Sequence, residues 1–240
     1  MRLFRRTLVS SAIALVLTTS GNAAAQYSNV YFFGDSLIDS GNYKSVLPPG
    51  TGLFTTNPGP VMSQVIAQRF GFTAIPSTQT GGNNYAYGGA RMTLLPGVLG
   101  SPLSPNAAVP VATQVQQYLA KGPADSNALY SVQGGGNDFL YQFGLLVAGA
   151  ATPAQVQTAL GTAAVDLAKQ AAVLKAAGAR NLMVWYVPDV GTSLDGAATG
   201  QGPALTALSN FFNSTLGGAL DTFGVQGIRL ISALIQNEAL

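Results

Sequence analysis

Three segments of this chain, residues 128–132, 182–187 and 228–231, are dominated by apolar residues, and long helical patterns lie between them. A strand that is apolar at nearly every position is covered on both faces, whereas a strand with one wet face alternates. The first intervening helix is well marked. Thr152-Pro153 sets a capping hydroxyl ahead of a proline, and Val156, Leu160, Ala164, Leu167, Ala171 and Leu174 then recur at three- and four-residue spacing until Gly178. Pro203 opens the second, with Leu205, Leu208, Phe212, Leu216 and Leu220 on one face and Gly224 at its end. Buried strands joined by helices of this length predict an α/β fold: a three-layer α/β/α sandwich with a mostly parallel sheet.

The first half is less regular. Asn29 to Phe33 reads as a buried strand stopped by Gly34-Asp35, residues 48–60 as loop, and residues 61–70 as a helix with Val61, Val65, Ile66 and Phe70 inward and Gly71 as its stop. Residues 76–110 are loop-like, and so long an irregular stretch in a compact domain usually carries function. Residues 111–119 read as a helix. Phe139, Leu140, Tyr141, Phe143, Leu145 and Leu146 form an apolar run that reads as buried core, with an acyl pocket shared with Tyr85 and Tyr87 as the alternative.

Charged residues make up only 8% of the chain against 48% hydrophobic, which excludes solvated disorder and charged coiled coils. Three of the eleven basic residues are Arg2, Arg5 and Arg6. They precede an apolar stretch from Thr7 to Ser20 and a small-residue site at Ala23-Ala24-Ala25, so residues 1–25 read as a secretory signal peptide, with an uncleaved anchor as the alternative. Without those arginines no basic footprint for nucleic acid remains. The expected location is exported: periplasm, cell surface or extracellular. The chain has neither Cys nor His, so no disulfide supports the fold and no His-ligated metal site can form. No cofactor is expected.

In a parallel sheet, ligands gather beyond the carboxyl ends of the strands. Three loops stand out: Gly34-Asp35-Ser36-Leu37 after the first strand, Asn84-Tyr85-Ala86-Tyr87-Gly88-Gly89-Ala90, and Gly135-Gly136-Asn137-Asp138 after the second clear strand. Each alone is an ordinary turn. Together and in this order they resemble the first three blocks of the SGNH, or GDSL, esterase and lipase family. The resemblance covers residues 29–240 and implies a flavodoxin-like SGNH-hydrolase domain over residues 26–240, incomplete at its C-terminus. It implies Ser36 as nucleophile, with an oxyanion hole formed by the backbone N–H groups of Ser36 and Gly89 and the side-chain amide of Asn137. Asp35 and Asp138 are expected to brace their turns. The implied substrate is a small-molecule ester or lipid, and similar passenger domains occur in esterase autotransporters, where an outer-membrane β-barrel translocator follows.

One element of the pattern is missing. The family's last block is an Asp-x-x-His segment, and this sequence has no histidine. A serine hydroxyl is a weak nucleophile at neutral pH without a base to take its proton. Asp189 and Asp195 are too acidic for that task unless strongly perturbed, and nothing places Lys44 in an apolar pocket. The expectation is that the dyad lies downstream of residue 240. The alternative is a catalytically silent binding module on the same fold.

Overall fold

A computed structural model of the chain describes residues 26–50, 52–53, 58–98, 108–193 and 200–231. The expected leader, residues 1–25, and Asp195 lie outside the described residues. Strands β1 (Val30–Phe33), β2 (Leu129–Val132), β3 (Asn181–Tyr186) and β4 (Ile228–Ile231) form a sheet in the order β1-β2-β3-β4, parallel throughout. Phe33 pairs with Val132 and Val132 with Val184. The carboxyl ends of β1 and β2 therefore finish level, and the loops that follow them leave the same edge of the sheet.

The helices are α1 (Met62–Arg69), α2 (Val111–Leu119), α3 (Gly136–Val147), α4 (Pro153–Ala176) and α5 (Gly202–Thr222). Period-2 alternation divides the strand side chains between two cores. Phe33, Tyr130, Val132, Leu182 and Val184 pack with residues of α2, α4 and α5, whereas Val30, Phe32, Leu129, Met183 and Trp185 pack with Ala67 and Ile66 of α1 on the opposite face. The sandwich is thus three layers deep, as expected. Burying a side chain such as Phe212 or Leu160, both fully enclosed, contributes about 1.5–3 kcal/mol.

The start of α4 follows its sequence closely. The Thr152 hydroxyl accepts from Gln155 N–H, and the Gln155 carboxamide returns a bond to Thr152 N–H, so two of the helix's orphan donors are satisfied reciprocally. All six apolar positions read from its spacing are buried. Elsewhere, small residues take inner places that the apolar letters did not suggest. In α1, Ser63 and Ala67 are buried while Val65 is half exposed; in α5, Ser209 is buried and Leu208 only partly so.

The apolar run after Asn137 departs from expectation. Of the six residues read as core, only Phe139 is buried; Leu140 is 40% exposed, and Tyr141, Phe143, Leu145 and Leu146 are half-buried. The cause is packing geometry. Helix α3 lies against α4 along one side and encloses Asn137, Asp138 and Phe139 in its first turn, so one face meets the interior while the rest of the cylinder stays outside it.

Candidate active site

The turn that follows β1 is held by two glutamines from distant parts of the chain. Gln114, buried in α2, accepts from Gly34 N–H at 2.8 Å and donates to the Gly34 and Val109 carbonyls, each at 2.8 Å. Gln133, the residue after β2, accepts from Asp35 N–H at 3.1 Å and donates to Asp35 Oδ2 at 2.9 Å. A carboxamide has one acceptor and one donor end, so each can read both kinds of group in one irregular turn. Between these clamped residues and Leu37 sits Ser36, half-buried.

Asp35 braces this turn as anticipated: its Oδ1 accepts from Leu37 N–H at 3.1 Å. Burial raises its pKa to about 6, against the opposing effect of the bonds from Leu37 and Gln133, with the charges of Asp138 and Asp39 adding to the rise. Asp39 does a second structural task. Its two oxygens accept from the N–H groups of Gly41, Asn42, Tyr43 and Gly88. Burial pushes its pKa up while those four donors hold it back. The Gly88 bond matters most, because it ties the first loop to the residue before Gly89.

The second loop runs along the free edge of β1. Tyr85 N–H donates to the Phe32 carbonyl and Tyr87 N–H to the Gly34 carbonyl, so residues 83–87 follow the strand and then deliver Gly88-Gly89 beside its end. Asn84 and Asn42 fill the space beneath. Asn84 Nδ2 donates to the Ile38 carbonyl at 2.6 Å and to Ser63 Oγ at 3.0 Å; Asn42 Nδ2 donates to the carbonyls of Asn84 and Ala86. Gly89 has φ +76, and a Cβ there would overlap the Val98 carbonyl oxygen. Glycine is required at this position by the chain's own packing, independent of any approaching ligand.

The third loop opens α3 through Gly135, whose φ of 97 is left-handed and whose α-hydrogen side faces the Phe212 ring. Asn137 Nδ2 donates to the Ala90 carbonyl at 2.9 Å. A carbonyl partner fixes which end of the carboxamide is nitrogen, and an NH₂ group bonded once retains a second hydrogen for another acceptor. Asp138, the other expected brace, accepts from Met92 N–H at 2.9 Å and pairs with buried Arg91 at 3.3 Å. Burial raises its pKa against the opposing effects of the Met92 bond and the Arg91 charge.

The three loops are therefore tied pairwise. Gly34 with Tyr87 and Asp39 with Gly88 join the first to the second, Asp35 with Gln133 joins the first to the third, and Ala90 with Asn137 joins the second to the third. These bonds gather the loops that hold Ser36, Gly89 and Asn137 at one end of a parallel sheet. Of the side chains weighed as substitute bases, two are among the described residues. Asp189 caps a short 3-10 turn, accepting from Gly191 N–H and the Thr206 hydroxyl, and Lys44 is exposed. Among the described residues no group of acidic side chains could hold a metal ion, and no helix is long and apolar enough to cross a membrane. Sequence reasoning missed Gln114, Gln133 and Arg91, and it gave no bracing role to Asn42 or to Asn84, which opens the second loop. Of the three missed, Gln133 carried a local signal, a lone amide between a buried strand and a glycine run.

Comparison with known proteins agrees with this arrangement. Residues 30–229 match the GDSL-like Lipase/Acylhydrolase family. The chain is 35% identical over 260 residues to a Pseudomonas putida protein called "Uncharacterized protein in trpE-trpG intergenic region", covering 99% of this chain and 41% of that protein. It is 30% identical over 279 residues to Esterase EstA of Pseudomonas aeruginosa, covering 100% of this chain and 41% of EstA. With Lipase 1 of Photorhabdus luminescens it shares 33% identity over 181 residues, 75% of this chain and 25% of that protein. The chain spans about two fifths of the length of the first two relatives or less than that of the third. With that match across most of its length, and with the loops that carry it gathered at one end of a parallel sheet, the chain belongs to the GDSL-like lipase/acylhydrolase family.

Proposed function

We propose that this chain carries the nucleophile and the oxyanion-binding groups of an exported serine ester hydrolase acting on carboxylic esters, with lipid or other fatty-acyl esters as the substrate class. The observation that carries the reading is the pairwise tethering of the three loops through Asp35–Gln133, Asp39–Gly88 and Asn137–Ala90. The names of EstA and Lipase 1 support an ester substrate. In this reading Ser36 Oγ attacks the ester carbonyl carbon and its proton passes to a base. The carbonyl oxygen becomes an oxyanion that takes hydrogen bonds from Ser36 N–H, Gly89 N–H and the second hydrogen of Asn137 Nδ2. Collapse returns the proton to the leaving alkoxide and leaves an acyl-serine for water to cleave.

The base in this reading is a histidine of an Asp-x-x-His segment outside these 240 residues, which contain none. Residues 1–25 serve as the export leader, and an outer-membrane β-barrel translocator is the partner. The complete lack of histidine favours a second reading, a silent binding module of the same fold.

Supplying the missing base from solution separates the two. With imidazole added, the wild-type chain is expected to hydrolyse p-nitrophenyl butyrate faster than Ser36→Ala, with a butyryl adduct on Ser36 by mass spectrometry. Asn137→Ala is expected to lower the Ser36-dependent rate about 10²- to 10³-fold. Equal rates for wild type and Ser36→Ala, with no adduct, would refute the nucleophile assignment and leave the binding module. An in-frame Asp-x-x-His after codon 240 would supply the base directly.

A further inference from the structure

Arg91 belongs to none of the three loop motifs, yet it lies where two of them meet. It is 3% exposed, and its Nε donates to Asp138 Oδ1 at 3.3 Å. Its guanidinium lies 3.9 Å above the centre of the Tyr141 ring, three residues further along α3. The neighbouring contacts continue the pattern. Ala90 O accepts from Asn137 Nδ2, and Met92 N–H donates to Asp138 Oδ2. Residues 90, 91 and 92 are thus bound in succession to the first turn of α3. On their other side the carbonyls of Arg91 and Met92 accept from Val111 and Ala112 N–H, two of the orphan donors at the start of α2. The segment is held between two helices, one residue beyond the Gly89-Ala90 pair.

We propose that Arg91 is a positioning residue that sets the separation between the Gly89 N–H and the Asn137 carboxamide. Two features suit arginine to this task. Its planar guanidinium can stack on an aromatic ring while one edge bonds a carboxylate, which a lysine ammonium cannot reproduce. Its charge also offsets the buried Asp138 carboxylate, which must stay an acceptor for both Arg91 and Met92. Displacing either contact lets the Ala90 peptide rotate, and the Asn137 amide loses the partner that aims its second hydrogen. The consequence for turnover rests on the hydrolase reading; the geometric claim does not.

The test uses Arg91→Met, Arg91→Lys and Asp138→Asn in the same chain. The geometric readout is NMR: the side-chain NH₂ resonances of Asn137, and hydrogen exchange at Gly89 and Ala90 against mid-sheet Tyr130 and Val184. The structure predicts shifted Asn137 NH₂ signals and about tenfold faster exchange at Gly89 and Ala90 in Arg91→Met, with Tyr130 and Val184 unchanged. The kinetic readout is the imidazole-supported, Ser36-dependent hydrolysis. Its kcat is expected to fall about 10- to 100-fold with KM within threefold, because a donor active only in the transition state has been misplaced. Arg91→Lys should recover part of both losses, and it supplies the answer if Arg91→Met does not fold. Unchanged Asn137 signals and Gly89 exchange in Arg91→Lys and Asp138→Asn would overturn the proposal. Wild-type turnover equal to that of Ser36→Ala would instead sink the hydrolase reading, while the NMR arm still decides the positioning role.

Discussion

Replacing Gln114 tests whether the turn carrying Ser36 is held from outside the turn itself. Gln114 is fully buried and makes three bonds of 2.8 Å, one from Gly34 N–H and two to the carbonyls of Gly34 and Val109. In Gln114→Leu the Gly34 carbonyl keeps its bond from Tyr87 N–H at 3.1 Å, but Gly34 N–H and Val109 O lose the partners described. One buried unpaired donor costs about 1–3 kcal/mol, and the two other lost bonds add about 1 kcal/mol each, so stability should fall by roughly 3–5 kcal/mol. Gln114→Glu separates polarity from volume. An introduced carboxylate still accepts from Gly34 N–H but faces two carbonyl oxygens, so the folded state favours its protonated form and raises its pKa above the unfolded value. That variant should be as weak as Gln114→Leu at pH 7 and regain most of its stability as the pH falls toward 4. Urea unfolding followed by the single tryptophan, Trp185, which is 7% exposed, reports both. A shift of the midpoint with unchanged slope is a change in stability. A loss under about 1 kcal/mol in Gln114→Leu, or a pH-independent Gln114→Glu, would refute the argument.

Three other outcomes follow from the same geometry. Asp35 has its pKa raised from 3.8 to about 6, so the folded state holds its proton longer than the unfolded chain; stability present below pH 4 should be lost as pH rises through 6, by about 3 kcal/mol, and Asp35→Ala should flatten that part of a urea-midpoint profile. Asp39→Asn leaves one acceptor oxygen for four N–H donors and turns an NH₂ toward the others, so thermal unfolding should register a loss of about 2–4 kcal/mol, and an unchanged Tm would contradict the role given to Asp39. Gly89→Ala meets both a left-handed backbone and the Val98 carbonyl, and should cost about 2 kcal/mol or more by chemical denaturation; a neutral result would show that the loop relaxes freely.

Periodicity made the layers legible. The spacing of Val156, Leu160, Ala164, Leu167, Ala171 and Leu174 needs only one helix and one apolar neighbour, and every one of those residues is buried. Composition was a poorer guide along residues 139–147, because apolar letters say that a segment prefers burial without saying whether a neighbour is present to provide it. Helix α3 has α4 along one side, and Leu140 and Val147 remain exposed. The site divides in the same way. Ser36, Gly89 and Asn137, the groups of the proposed site, each sit in a short motif that a sequence displays. Gln114 stands 80 positions from the Gly34 it clamps and Arg91 stands 47 from Asp138, separations at which local pattern carries no signal.

Local order along the chain was enough to determine the main strands and helices and that the sheet is parallel, while the three turns stood out only by occurring together and in order. The reason is that backbone sterics, helix caps and the 2.0 and 3.6 periods act over a few residues at a time. Tertiary structure decided how those turns are joined: Asp35 to Gln133, Gly88 to Asp39, Asn137 to Ala90, and Arg91 between Asp138 and Tyr141. Those pairings arise because buried polar groups in irregular loops must find partners, and the partner within reach is set by which ends of the sheet the fold brings level.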